Sequence, residues 1–61
     1  MTPLEIKIEL MKAGVSLRSI ARQLEVSPTA VSLVVNRRMV SNRIMEAVAK
    51  AIGSEKKTVF H

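Results

Sequence analysis

Apolar residues recur every three or four positions along the chain, and this spacing predicts four helices. The first begins at a capped start, with Thr2 as N-cap, Pro3 at the first helical position and Glu5 completing a capping box, and ends at Gly14. Two apolar stripes on so short a helix predict contacts with more than one neighbouring element. The stripes are Ile6, Leu10 and Ala13, and Leu4, Ile8 and Met11.

The second predicted helix covers about residues 17–24, with Ser16 as its N-cap. Its apolar face repeats at offsets of three, four and seven, and Arg18, Arg22 and Gln23 lie on the other side. That apolar face consists of Leu17, Ile20, Ala21 and Leu24.

A third helix follows after a three-residue turn, because Ser27 can cap it and Pro28 suits its first position. The β-branched run in this segment would also suit a strand, but the capped start and the spacing favour a helix. Its predicted buried stripe is Val31, Val34 and Val35, and its predicted outer stripe is Thr29, Ser32, Leu33 and Asn36. Leu33 has two interpretations, on the outer stripe or in the core, and the rotation of the helix decides between them.

The fourth predicted helix is capped by Ser41 or Asn42 and has Gly53 as its C-cap. Its inner stripe consists of Ile44, Ala47, Val48 and Ala51. In the polar tail that follows, the single aromatic residue, Phe60, is predicted to plug the core. The sequence thus predicts one compact, all-α, four-helix domain over residues 1–61.

Composition limits the chemistry that the chain can perform. Its 61 residues are enough for a single core, and they include no Cys, no Asp and one His. We therefore expect no metal site, no cofactor and no enzymatic activity. Neither a membrane span nor a signal pattern is evident, so we expect a cytoplasmic protein.

The positive charge is concentrated in the middle of the chain. The net charge is +5, and residues 16–43 hold all five arginines against one acid, Glu25. A solvated basic face is the simplest interpretation of such a segment. Arginine also binds phosphate and guanine through two parallel hydrogen bonds, so the segment predicts contact with a polyanion.

Residues 17–36, LRSIARQLEVSPTAVSLVVN, resemble the helix-turn-helix of the lambda repressor and Cro family. Ala21 matches the family's small position, Leu24 and Val26 its apolar positions around the turn, and Val31 and Val34 its buried positions in the recognition helix. The flanking helices are similar to those of short phage regulators of the Ner-like and BcepMu types, so the resemblance extends over about residues 6–60. At Glu25 the chain departs from the family, which usually has glycine in the turn.

The resemblance implies a lambda-repressor-like fold and sequence-specific binding of double-stranded DNA by a transcriptional regulator, a repressor of phage or prophage origin in the bacterial or infected-host cytosol. The implied base-reading residues are Pro28, Thr29, Ser32, Leu33 and Asn36. The implied contacts to the DNA backbone are Ser16, Arg18, Ser27, Arg37, Arg38, Ser41 and Arg43. Arg18 and Arg43 lie in first helical turns, where cations are disfavoured unless an anion is bound there.

Two other classes of function are compatible with the sequence. One is an antitoxin-like protein-interaction module on the same scaffold, in which apolar residues on the first helix or the tail bind a partner. The other is a basic amphipathic peptide that acts at membranes, and the helix breaks and the strong internal stripes argue against it. For the DNA-binding class we expect weak self-association or a cooperative dimer on DNA, with contacts through Met39-Val40 or the tail.

Overall fold

Five helices follow one another in the computed structural model, which describes residues 1–60. They are α1 (Pro3–Lys12), α2 (Leu17–Leu24), α3 (Pro28–Val35), α4 (Asn42–Ala51) and α5 (Lys56–Val59). No strand occurs among these residues, so the all-α prediction is confirmed. The prediction of four helices was wrong, because the tail forms the additional four-residue helix α5. The radius of gyration is 9.9 Å, which is close to the roughly 10.5 Å expected of a compact domain of this length.

The four longer helices begin where side-chain caps were predicted. Thr2 Oγ1 accepts from the Glu5 amide at 3.1 Å and Glu5 Oε1 accepts from the Thr2 amide at 2.8 Å, which is the predicted capping box. Ser16, Ser27 and Ser41 cap α2, α3 and α4 in turn. Of the two candidates for α4, the cap is therefore Ser41.

The same four helices also end in a common way. Within two residues of the end of each helix, a single residue adopts the left-handed conformation. The amide of the next residue donates to the carbonyl five positions before it, as in a Schellman motif. The left-handed residues are Gly14, Glu25, Arg37 and Gly53, with φ of 73°, 57°, 61° and 71°. The closing bonds are 2.9 Å from Val15 to Leu10, 2.9 Å from Val26 to Ala21, 2.8 Å from Arg38 to Leu33 and 2.9 Å from Ser54 to Ala49. The C-cap of α4 is Ile52, so the predicted C-cap Gly53 follows it as the left-handed residue.

Every helix contributes to the buried core. The buried residues are Ile6, Leu10, Ile20, Ala21, Val31, Val34, Val35, Ile44, Val48, Ala49 and Val59. All three residues of the predicted α3 stripe, Val31, Val34 and Val35, are buried. On α4, Val48 is buried, and Ala47 and Ala51 are half-buried.

Two predictions about packing were wrong. Val59 is the residue of the tail that is fully buried, whereas Phe60 is half-buried at the edge of the core. The one-turn helix α5 turns Val59 inward, and the following residue then lies at the rim. On α1 the second predicted stripe, Leu4, Ile8 and Met11, is exposed instead of packing against another element, and Ala13 of the first stripe is exposed as well. No helix within residues 1–60 has the length and apolar character needed to span a membrane.

Candidate nucleic-acid interface

The helices α2 and α3 form a tightly packed pair of eight residues each, joined by residues 25–27. Ala21 on α2 and Val31 on α3 are both almost completely buried, and a small side chain at position 21 allows the two backbones to approach. Glu25 makes the turn by adopting the left-handed conformation, with φ 57° and ψ 42°. Leu24 and Val26 pack against the core on either side of it. Glu25 itself is exposed.

This packing fixes the rotation of α3. With Val31, Val34 and Val35 buried, the opposite side of the helix faces away from the core. Leu33 is half-buried and lies outside the set of apolar residues that pack against the core, so its place is on the outer stripe. The predicted base-reading residues occupy this outward side: Pro28 and Thr29 are exposed, and Ser32, Leu33 and Asn36 are half-buried.

The side chain of Asn36 lies back against α3. Its Nδ2 donates to the Ser32 carbonyl oxygen at 2.9 Å and lies 3.3 Å from Ser32 Oγ. These bonds hold two of the predicted base-reading residues together as one polar group. The amide nitrogen carries two protons, so a contact to a base through the amide is compatible with one of these bonds.

Three of the predicted backbone-contacting residues serve as helix caps. Ser16 Oγ accepts from the Ser19 amide at 3.0 Å, Ser27 Oγ from the Ala30 amide at 3.1 Å and Ser41 Oγ from the Ile44 amide at 3.4 Å. A hydroxyl that accepts in this way keeps its own proton as a donor. Ser16 and Ser27 are exposed and can offer that proton to an anion, whereas Ser41 is half-buried.

The five arginines are all exposed, and they divide into two groups by their contacts. Arg43 Nη2 donates to the Leu24 carbonyl at 3.0 Å, which links the start of α4 to the end of α2. Arg37 Nη2 donates to the carbonyls of Met1 and Val59, the latter at 3.2 Å, so this side chain joins the residues before α1 to α5. These contacts cross 19 to 36 residues of sequence and leave no local signal.

The second group consists of Arg18, Arg22 and Arg38, which take part in none of the ion pairs formed among residues 1–60. Those ion pairs join lysines to glutamates. Arg22 was not among the predicted site residues, although its position four residues after Arg18 places both on one face of α2. That spacing is a sequence signal by which Arg22 joins Arg18 as a candidate.

Comparison with protein-family models, curated proteins and solved structures found no match to this chain. Within residues 1–60 no group of three or more His, Asp or Glu side chains could hold a metal ion.

Proposed function

We propose that the chain is a sequence-specific double-stranded DNA-binding protein that regulates transcription, with α3 lying in the major groove. The observation that carries the proposal is the outward stripe of α3, whose rotation is fixed by a fully buried opposite face. The major groove is about 12 Å wide and admits a helix. Residues at the start of α3, Pro28 and Thr29, are then nearest to the base edges.

The chemistry of the stripe suits a mixed polar and apolar readout. Ser32 and Asn36 can hydrogen-bond base edges, and asparagine pairs best with adenine. Leu33 and the Thr29 methyl group can contact thymine methyl groups. Because Asn36 is already bonded to Ser32, a substitution at either position is expected to alter what the other reads.

Contacts to phosphate come from the start of the helices and from the arginines around them. Ser16 and Ser27 present hydroxyl protons beside the amides at the N-termini of α2 and α3, where the helix dipole favours an anion. Arg18, Arg22 and Arg38 carry exposed guanidinium groups that no carboxylate within residues 1–60 neutralises. These residues position the duplex, and the stripe of α3 reads it.

Two copies of the chain are expected on each DNA site. A single helix with about four usable side chains distinguishes only a few base pairs, at roughly 1–3 kcal/mol for each mismatch. Two half-sites about one helical turn apart double this discrimination. A repressor of phage or prophage origin would use such a site to occlude a promoter.

The experiment is selection of bound duplexes from a random pool, followed by titrations of the selected duplex at several salt concentrations. Arg38→Ala should weaken binding to all sequences and reduce the slope of log K against log salt by about 0.9. Asn36→Ala should change sequence preference and leave the slope close to that of the unchanged protein. Lys57→Ala is the control for loss of one positive charge, because Lys57 lies in α5 beside Glu55 at 3.7 Å.

The proposal fails if the selection recovers no preferred sequence. It also fails if Arg38→Ala and Lys57→Ala change the slope equally, because binding would then follow net charge alone. Tight binding to vesicles of anionic lipid with none to duplex would assign the arginines to a membrane surface instead.

A further inference from the structure

Three of the four large apolar side chains that residues 1–60 leave exposed lie on one stripe of α1. Leu4 is 66% exposed, Ile8 41% and Met11 77%. The spacing of four and then three residues is that of the seam of a two-helix pair. We propose that this stripe, Leu4, Ile8 and Met11, is a self-association surface on which α1 of a second copy of the chain packs in the antiparallel direction.

The two ends of the stripe have complementary shapes. At its C-terminal end lies a groove of about 280 Å³ whose apolar lining includes Leu10, Met11, Val15 and Leu17. At its N-terminal end, Leu4 projects into solvent. A two-fold axis beside Ile8 places Leu4 of each copy over the groove of the other, which satisfies the self-complementarity that a two-fold interface requires. A parallel arrangement would instead place Leu4 against Leu4 and leave both grooves open.

Charge along the stripe also favours the antiparallel direction. Glu5 and Lys12 border the same edge of the stripe, seven residues apart, which is two helical turns. In the antiparallel pair Glu5 of each copy lies beside Lys12 of the other, so opposite charges meet at two places. Within one copy Lys12 Nζ lies 3.4 Å from Glu9 Oε2 and Glu5 Oε1 accepts from the Thr2 amide, so each contact adds a second partner to groups that already have one. The other edge carries Lys7, which faces its own symmetry mate and weakens the pair.

The occupant is a second copy of the chain because the stripe matches itself in shape and charge. The pair is weak, since stable interfaces bury about 1,200–2,000 Å² and use about 20–30 residues a side, whereas α1 has 10 residues. We expect a dissociation constant on the order of 0.1–1 mM in solution. The surface stands independently of DNA binding, although a weak pair of this kind would serve the two-copy site proposed above.

Val40 provides the matched comparison. It is 84% exposed and borders a second groove of about 280 Å³, lined in part by Met39, Met45 and Phe60. Self-contact was predicted from the sequence at Met39-Val40 or in the tail. Val40 is the only one of the four exposed large apolar residues within residues 1–60 that lies at this patch, and the one charged residue that lines its groove is Arg37. The antiparallel geometry of α1 is therefore the better interface.

The chain contains no cysteine, so single cysteines can report the contact. Ile8→Cys should form a disulfide-linked dimer at least tenfold faster than Val40→Cys under the same mild oxidation, because the two sulfur atoms lie beside the axis. An equal mixture of Leu4→Cys and Met11→Cys should form the mixed dimer faster than either variant forms its own. Equal rates for the first two variants, or a faster reaction of Val40→Cys, would overturn the proposed surface. Preferential dimers of Leu4→Cys with itself would overturn the antiparallel direction.

Sedimentation equilibrium without DNA tests the surface without a covalent trap. The unchanged protein should rise from 6.7 kDa toward twice that mass as its concentration approaches about 1 mM, and Met11→Lys should stay at 6.7 kDa. Val40→Lys should behave as the unchanged protein does. Both substitutions are at highly exposed positions, and circular dichroism checks that each variant is folded. The proposal is refuted if the unchanged protein stays monomeric at this concentration, or if Val40→Lys alone loses the dimer. Either result would leave the DNA-binding proposal standing.

Discussion

Replacing Glu25 with glycine should stabilise the protein, although the substitution removes a side chain and adds no contact. Glu25 is held at φ 57° and ψ 42° by the motif that ends α2. A residue with a Cβ atom is disfavoured there by roughly 1–2 kcal/mol. Glycine avoids that cost but has greater freedom in the unfolded chain, which offsets roughly 0.4–1 kcal/mol. The net expectation is a gain of about 0.5–1 kcal/mol in the free energy of unfolding.

Gly53 allows the reverse experiment in the same motif. It has φ 71°, and a Cβ built on it would meet no atom within 4 Å. Gly53→Ala therefore imposes the backbone penalty without a steric clash, and should destabilise the protein by about as much as Glu25→Gly stabilises it. The two substitutions together separate the backbone effect from packing.

Thermal and urea unfolding followed by circular dichroism measure both effects. For a domain of this size about 1 kcal/mol corresponds to roughly 4–8 °C in Tm, so Glu25→Gly should raise Tm by about 2–8 °C. Glu25→Ala is the control, because it removes the carboxylate and keeps the Cβ atom. If Glu25→Ala stabilises the protein as much as Glu25→Gly does, the gain comes from lost charge, and the reasoning from backbone conformation is refuted.

Two further predictions concern the tail and the first helix. Val59→Ala should cost about 2 kcal/mol, since Val59 is fully buried, whereas Phe60→Ala should cost less than the roughly 3–5 kcal/mol of a fully buried phenylalanine. Urea unfolding measures both, and a loss of 3–5 kcal/mol in Phe60→Ala would contradict the half-buried ring. Hydrogen bonds from the Thr2 backbone and side chain lower the pKa of Glu5 from its usual 4.5, so the folded state gains stability from the ionised carboxylate and loses it as the pH falls below that value. Glu5→Gln should therefore lose less stability than the unchanged protein between neutral pH and pH values below 4.5, as measured by thermal unfolding; an equal loss would show that Glu5 does not contribute.

Local signals were sufficient to locate the longer helices. The order of cap, proline and apolar spacing located the starts of α1 and α3, and the spacing in α2 predicted its full extent over residues 17–24. Glu25 stands where the resembled family usually has glycine, and the structure shows that it adopts the left-handed conformation. In each case the cause lies within a few residues of the effect.

Local sequence signals could not predict the features that depend on contacts between distant parts of the chain. The helix α5 has one turn and a polar sequence, KKTV, so it shows no apolar periodicity. The exposed stripe of α1 has the same sequence pattern as a buried stripe. Whether another element covers such a stripe is decided by the whole fold. The bonds of Arg37 and Arg43 to backbone carbonyls join elements far apart in sequence. For the candidate site, the rotation of α3 was predictable from its valines, but the arrangement of the arginines was not.

The contacts of Arg37 also join the start of α1 to the end of α5. The Met1 ammonium group donates to the Val59 carbonyl at 3.2 Å, and the Arg37 guanidinium donates to that same carbonyl and to the carbonyl of Met1. Terminal segments usually fray independently and on fast timescales. Because the Val59 carbonyl accepts from both the Met1 ammonium group and Arg37, we expect the start of α1 and the end of α5 to open together. Arg37 is also the left-handed residue after α3, so one side chain connects both segments to the helix for which we propose a place in the major groove.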